Sequence, residues 1–452
     1  MPYAKKGRAI VLGGSMAGLF AARVLADSYA EVLVVDRDVL TGTTGTRRGV
    51  PQGRQVHGLQ AKGQQIIEEL FPGLTKQVVA DGGAVGDMAG DIRWFLNGKR
   101  LAPVRTGLTS LTVSRPFLES YVRTRVQELS PVSFLEERDV VGLEATADGG
   151  TVTGVRVSRQ ARGSDVEVLR ADLVVDATGR GSRTPVWLEQ LGYERVEEEH
   201  LKIGLGYTSR VYTIREDPYR DNEISIGVVS SPTRPRGAIA ARQEAGRVIV
   251  TAYGIAGDHP PTDPEGFDAF LKSLAVPDIH QAVQGLEPVG EPTPYRFPAN
   301  QRRRYEKLTR FPQGLLVTGD GVCSFNPAYA QGMSVAALAA LTIRRHVSGE
   351  GSPDPLEYLR DLASEAIEGP WALMAGGDLA YPGVEGERTA LTQLSVAYME
   401  LVQEAAVNDP EVANAFMRVF GLVEPPASLM EPAMVLRVLR SSGAAERAGI
   451  TI

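Results

Sequence analysis

Apolar and polar positions change rhythm several times along this chain, and the first change sets the rest. Four apolar residues, Ala9 to Leu12, run into Gly13-Gly14; small residues follow to Gly18, and helical spacing then leads to a second apolar run that closes on Asp36. Strand, tight turn, helix and second strand satisfy that order, so residues 9–38 are predicted to form one β-α-β unit. Helical spacing covers 60–70 and stops at Pro72-Gly73, and residues 90–104 read as a hairpin turning at Asn97-Gly98. A helix is expected over 114–129, with Ser114 as its cap, Pro116 in its first turn and Phe117, Tyr121 and Val122 facing inward. Short β runs divided at Asp148-Gly149-Gly150 and Gly163-Ser164 fill 132–176. From Thr184 to about Glu287 the runs lengthen into a second, antiparallel layer with one helix near Phe267–Leu274. A proline-rich crossing over 287–300 leads back to a buried strand at 314–320 and to an alanine-rich helix opening at Gly332. The last hundred residues read as mostly helical, interrupted at 369–386 and at Glu424-Pro425-Pro426.

Composition narrows what such a chain does. At 452 residues and 43% hydrophobic content it is long enough for more than one core. A formal charge of -7 argues against nucleic-acid partners and against an anionic membrane surface, and no apolar stretch reaches the ~18 residues of a membrane span. The run after Lys5-Lys6 is too short and glycine-rich for a secretory signal, so a cytoplasmic protein is expected. The single cysteine, Cys323, gives no internal disulfide and no metal pair. Five histidines (His57, His200, His259, His280, His346) lack metal-ligand spacing, and no Gly-x-Ser-x-Gly elbow occurs. The demanding chemistry is therefore assigned to a bound cofactor, with no metal.

Three strand-then-glycine segments suit a large dinucleotide. In the first, Gly13 permits the turn out of the strand, Gly18 lets the helix approach the sheet, and the helix-start amides face a pyrophosphate. Asp36 follows the glycines at close to the roughly 20 residues expected of a ribose-binding acid. Ser15 stands where the middle glycine of G-x-G-x-x-G is usual, and its hydroxyl can donate a hydrogen bond in exchange. The second segment runs from Asp176 to Arg183. In the third, Gly319-Asp320 ends a strand, Asp320 can accept a ribityl or ribose hydroxyl, and Pro327 precedes the helix whose first residues are Gly332 and Met333. The positive end of that helix would favour an anionic reduced flavin. Between the first two segments lies a polar, glycine-rich loop carrying Arg47, Arg48, Arg54 and His57, and loops of this length are usually functional.

The stretches VLGGSMAGL with Asp36, SRPFLESYVR, VVDATGRGSR and VTGDGVCSFNPAYAQGM together resemble the FAD-dependent monooxygenases of the para-hydroxybenzoate hydroxylase fold. PQGRQVHGL, PWALMAGGDLAYPGVEG and VEPPASLMEPAMVLRVLR extend the resemblance to the squalene-epoxidase-like polyether polyene epoxidases of bacteria. It implies an α/β protein: an FAD-binding Rossmann-like domain of glutathione-reductase type, an antiparallel-sheet substrate domain and a helical C-terminal region. The expected limits are 1–183 for FAD binding, with 75–112 contributing to the substrate domain, then 184–298 for the substrate sheet, 299–350 for the return to the FAD domain and 351–452 for the helices.

It further implies FAD held by Gly13, Gly14, Ser15, Gly18, Asp36, Arg37, Arg115 and Asp320, with Pro327, Gln331, Gly332 and Met333 at the isoalloxazine, and Arg54 and His57 as candidates at the flavin edge. In such enzymes reduced FAD takes up molecular oxygen, and the flavin hydroperoxide passes one oxygen atom to the substrate. The expected activity is epoxidation of alkenes in a large apolar substrate, a polyketide polyene, over a pocket lined by residues such as Tyr207, Val211 and Phe297. Aromatic-ring hydroxylation, prenyl-chain reduction and flavin binding without turnover are the alternatives. A halogenase fits less well, since W-x-W-x-I-P is absent and PVWLEQLGY is a poor substitute. Relatives that use NADPH directly carry Asp-Gly where this chain has Thr178-Gly179, so electrons are expected from NAD(P)H or from a separate flavin reductase as partner.

Overall fold

Strand Lys6–Leu12 occupies the centre of a five-stranded parallel sheet, because its four apolar residues are buried on both faces. The structure is a computed structural model that describes residues 5–449 apart from 162 and 350. Across the sheet the order is Leu315–Val317, Leu173–Asp176, Lys6–Leu12, Tyr29–Val35 and Val132–Leu135, all parallel. Helix Met16–Ser28 joins the two strands predicted to flank it, so the first β-α-β unit forms as its spacing requires. Helix Gly332–Val347 packs along it and buries Val335, Ala336, Ala339, Ala340 and Ile343.

An eight-stranded sheet forms the second layer around strand Glu198–Thr213. That strand pairs antiparallel with Arg247–Gly254 on one side and with Glu287–Arg303 on the other. The stretch expected as a proline-rich crossing is therefore a seventeen-residue strand. Among the described residues its far side meets only the short strand Cys323–Ser324, through Gln301 and Arg302. Pro288, Pro294 and Pro298 lie outside that short pairing, on an edge where a missing amide removes no ladder bond. Nothing in the spacing of Arg236–Gln243 announces a strand, since alanines dominate it, yet Ala238 and Ala240 are fully buried in the core under helices Pro264–Lys272 and Asp278–Val283. The hairpin at Asn97-Gly98 forms as expected, with both turn residues at positive φ (50° and 75°). Its strand Ile92–Leu96 joins the eight-stranded sheet beside Ser225–Val228.

Two helical expectations need correction. Helix Arg115–Gln127 has Ser114 accepting from the Phe117 amide, as read, but its buried face is Leu118, Val122 and Val126 together with Arg115, Glu119 and Arg123. Phe117 and Tyr121 are half-buried and pair with each other, ring centres 4.9 Å apart. The expected interruption at 369–386 begins late, because helix Glu368–Leu379 runs through its first half. A π turn at Ala363–Ile367 joins it without a break to helix Pro355–Leu362, and Pro370 follows directly on that turn. Helices Ala390–Asn408 and Pro410–Phe420 pack against Leu96 and Leu101 of the hairpin region, and helices Pro432–Ser441 and Ala444–Arg447 follow them. Among the described residues no helix is long and apolar enough to cross a membrane.

Candidate functional site

The three strand-then-glycine segments meet where no side chain would fit. A Cβ on Gly13, which sits at φ +96°, would lie 2.6 Å from the Ala177 carbonyl oxygen. On Gly18 it would lie 1.7 Å from the Gly13 carbonyl, and on Gly319, at φ +61°, 2.8 Å from Ala17 Cβ. Each contact joins the first segment to itself, the second or the third.

Around this meeting point lies a buried charge network. Asp36 accepts from the Gly14 amide (2.6 Å) and the Asp38 amide (2.7 Å), with Arg47 Nη1 at 3.6 Å. The Gly14 amide is thus taken by Asp36, although each carboxylate oxygen keeps a lone pair for a hydroxyl. Burial pushes the Asp36 carboxyl up, against those two amides and Arg47. Arg47 also binds Glu119 (2.6 Å) and Asp38 (3.2 Å). Ser15 Oγ donates to Glu119 (3.0 Å) and accepts from Arg115 (2.9 Å). Burial would raise the Glu119 carboxyl, but Arg115, Arg47 and Arg123 outweigh it and hold the group below its ordinary range. The signal for Glu119 was present in the sequence as Arg115, Glu119 and Arg123 at successive fourth positions, one face of a helix.

Arg115 also links the segments. Its charge opposes protonation of His57, which burial and Arg115 together push down to about 4, so the imidazole is neutral at pH 7 and its Nδ1 lies 3.0 Å from the Gln55 carbonyl. Asp320 is pushed up by burial and pulled back by Arg115 and Arg180. Arg180 was not foreseen as a site residue: its guanidinium stands 4.9 Å over the Phe297 ring and donates to Ser324 Oγ (3.2 Å). Arg37 and Arg54, by contrast, are exposed. Cys323 is buried at 2% exposure and burial pushes its thiol well up, the state of an inert thiol.

At the other end, Pro327 heads the turn Pro327–Tyr329 and Gln331 precedes helix Gly332–Val347. Gln331 is fully buried, and among the described residues neither its amide nitrogen nor its amide oxygen has a partner. Gly332 is exposed with nothing within 4 Å of an added Cβ, while Met333 is buried. A buried amide lacking both partners beside an open glycine suits a planar ring with polar edge atoms, so the residues fit FAD. Next to this end, Tyr207, Tyr253, Tyr381, Leu201, Leu205 and Phe297 form an apolar cluster against which Ala328 and Tyr295 pack. Tyr207 stacks on Tyr295, ring centres 6.1 Å apart. Val211, further along the strand, lies outside that cluster. Among the described residues no group of three or more His, Cys, Asp and Glu side chains is placed to hold a metal ion.

The fold and the glycine-lined meeting point define a flavoprotein class, and comparison with known proteins agrees. A family model described as FAD dependent oxidoreductase matches residues 9–184. Protein Rv3254 of Mycobacterium tuberculosis is 34% identical over 439 residues, covering 93% of this chain and 90% of that protein. The chain belongs to one family with Protein Rv3254, and its residues 9–184 match the FAD dependent oxidoreductase family. Among solved structures it is similar in fold to the flavin-dependent brominase Bmp2, with TM-score 0.67 and 13% identity over 97% of this chain and 99% of that one. It is similar likewise to the tetrameric form of 2-methyl-3-hydroxypyridine-5-carboxylic acid oxygenase, with TM-score 0.58 and 19% identity over 91% and 98%.

Proposed function

We propose that this chain is an FAD-dependent monooxygenase that epoxidises alkenes of a large apolar substrate, a polyketide polyene. The observation that carries this reading is the tyrosine-lined apolar cluster of Tyr207, Tyr253, Tyr381 and Phe297 packed directly against Ala328, beside the segment that would hold the flavin ring. Bound FAD supplies oxygen activation: two electrons reduce O2, one oxygen atom enters the substrate and the other leaves as water. Asp36 and Asp320 would take ribose and ribityl hydroxyls, and Arg115 would lie against the pyrophosphate. Gln331, Gly332 and Met333 would hold the ring edge, with its orphaned amide paired at last. The apolar cluster would orient the alkene and exclude water, the requirement of a reactive oxygen donor.

Electrons would come from NAD(P)H or a separate reductase; Thr178-Gly179 in place of Asp-Gly supports the latter. Aromatic-ring hydroxylation is the second reading, favoured by the stacked Tyr207 and Tyr295 rings, which suit a flat substrate. The test is oxygen uptake by the FAD-loaded protein with a flavin reductase and candidate polyenes, under isotopically heavy oxygen. A product carrying one heavy oxygen at a former alkene supports epoxidation, and one on a ring supports the second reading. Substrate reduction without oxygen uptake would replace both by a prenyl-chain reductase.

A further inference from the structure

Asp378 lies in the last turn of helix Glu368–Leu379, fully buried, and no part of the proposed chemistry uses it. Its Oδ2 accepts from Asn300 Nδ2 (2.7 Å) on strand Glu287–Arg303, and its Oδ1 accepts from Asn326 Nδ2 (2.8 Å). The Tyr329 hydroxyl faces it as well, in space left by Gly377, where a Cβ would lie 2.1 Å from that hydroxyl. Two amides thus hold a carboxylate, with a phenol facing it, that an apolar residue would replace if only volume mattered.

Those donors lead to the flavin end of the site. Asn326 uses its side-chain oxygen to accept from the Ala328 amide (2.9 Å), so one side chain both holds Asp378 and caps the turn Pro327–Tyr329. The Tyr329 carbonyl accepts from Gln60 Nε2 (2.7 Å). Ala330 follows at φ +53°, a conformation that a residue with a Cβ keeps only when its surroundings enforce it. Gln331 and the first turn of helix Gly332–Val347 come next.

We infer that Asp378 is a positioning residue: through Asn326 and Tyr329 it fixes the turn over 326–331 and sets how the first amides of helix Gly332–Val347 meet the flavin ring. This rests on the FAD reading of the site. A carboxylate suits the task because it offers acceptors only, and three donors converge on it. Burial, against the Asn300, Asn326 and Tyr329 side chains that favour the charged form, pushes its carboxyl up to about 6. The titratable groups that face it are Tyr207, Tyr329 and Tyr381, with Tyr253 beside them, and burial pushes all four phenols up, so none ionises in the same range. Protonation of Asp378 converts one acceptor into a donor and changes how the turn is held, whereas an amide at 378 would hold one arrangement at every pH.

The test follows flavin absorbance and FAD dissociation from pH 5 to 8 in wild type, Asp378→Asn and Asp378→Leu. Wild type should show a spectral step near the pH of about 6 at which Asp378 titrates. Asp378→Asn keeps the shape, because the Asn300 side-chain oxygen has no partner among the described residues and can accept from the new amide once that side chain flips. It should hold FAD and lose the step. Asp378→Leu should bind FAD about tenfold more weakly or worse, the scale of a buried donor left without a partner, with a shifted spectrum. A step that survives in Asp378→Asn belongs to Asp36 or Asp320, whose carboxyls burial also pushes up, and overturns the inference. Wild-type FAD affinity and spectrum in Asp378→Leu would overturn it too. Should Asp378→Leu not fold, the presence or loss of the step in Asp378→Asn decides alone. Failure of wild type to take up FAD removes the cofactor reading itself, an outcome visible before any variant is made.

Discussion

Two buried carboxylates of this protein respond to pH in opposite directions. The Asp378 carboxyl titrates at about 6 in the folded chain, above its unfolded value, so the stability it confers is complete below the unfolded value and is lost as pH rises through about 6. Asp378→Asn is therefore expected to be more stable than wild type at pH 8, by up to roughly 3 kcal/mol, with the gap closing toward pH 4 in thermal unfolding without added FAD. Glu119 is the opposite case: Arg115, Arg47 and Arg123 hold its carboxyl low, so its contribution is present at neutral pH and lost as pH falls through the acid range. Glu119→Leu would leave three buried guanidiniums around an apolar group and should cost about 3–5 kcal/mol in urea unfolding at pH 7. Residue-scale legibility followed reach. Gly13, Gly18 and Asp36 stood out because a turn, a close approach and a fixed spacing are local requirements. Asp378 did not, because its partners come from residues 300, 326 and 329, and its own neighbours, Gly376 and Gly377, read as a break in helix.

At the scale of elements, the decisive contact is between helix Met16–Ser28 and the strand before it. The 1.7 Å approach of an added Cβ on Gly18 to the Gly13 carbonyl leaves the backbone nowhere to yield, so Gly18→Ala should displace the helix start. The expected result is loss of FAD retention on gel filtration together with a lower melting temperature. The polar loop after Asp36 is an element of a different sort, held by Arg47 to Asp38 and Glu119 and by Arg123 to the Thr43 carbonyl. Arg47→Ala should release it, and limited proteolysis should then cut within 41–57 faster than in wild type while the sheets stay protected. Helices Met16–Ser28, Arg115–Gln127 and Gly332–Val347 and the paired glycine turns were legible from spacing alone, whereas helix Glu368–Leu379 was not. Strand Glu287–Arg303 was not, because proline is normally evidence against a strand and only its edge position removes the objection. Strand Arg236–Gln243 was hidden for another reason: alanine has little strand preference, and what places it there is the close packing of helices Pro264–Lys272 and Asp278–Val283 over that face.

For the molecule as a whole, the candidate site draws on residues from 13 to 333, so binding and global folding should be tightly linked. FAD at about a hundred times its dissociation constant should add about 2.7 kcal/mol and raise the melting temperature in one cooperative transition. Separate transitions with only one of them moved by FAD would show that the layers fold independently. The family-level chemistry was legible because a dinucleotide imposes glycines and acids at set places; the substrate was not, since an apolar cluster records shape and dryness and carries no motif. The prolines of strand Glu287–Arg303 have one more consequence at this scale. An open rim of sheet is a template on which a second chain can add its own strand and begin an aggregate. Here that rim carries Pro288, Pro294 and Pro298, all solvent-exposed, and each breaks the row of donors an incoming strand would need. Replacing them with threonine, harmless to the fold, should leave a protein that self-associates on concentration.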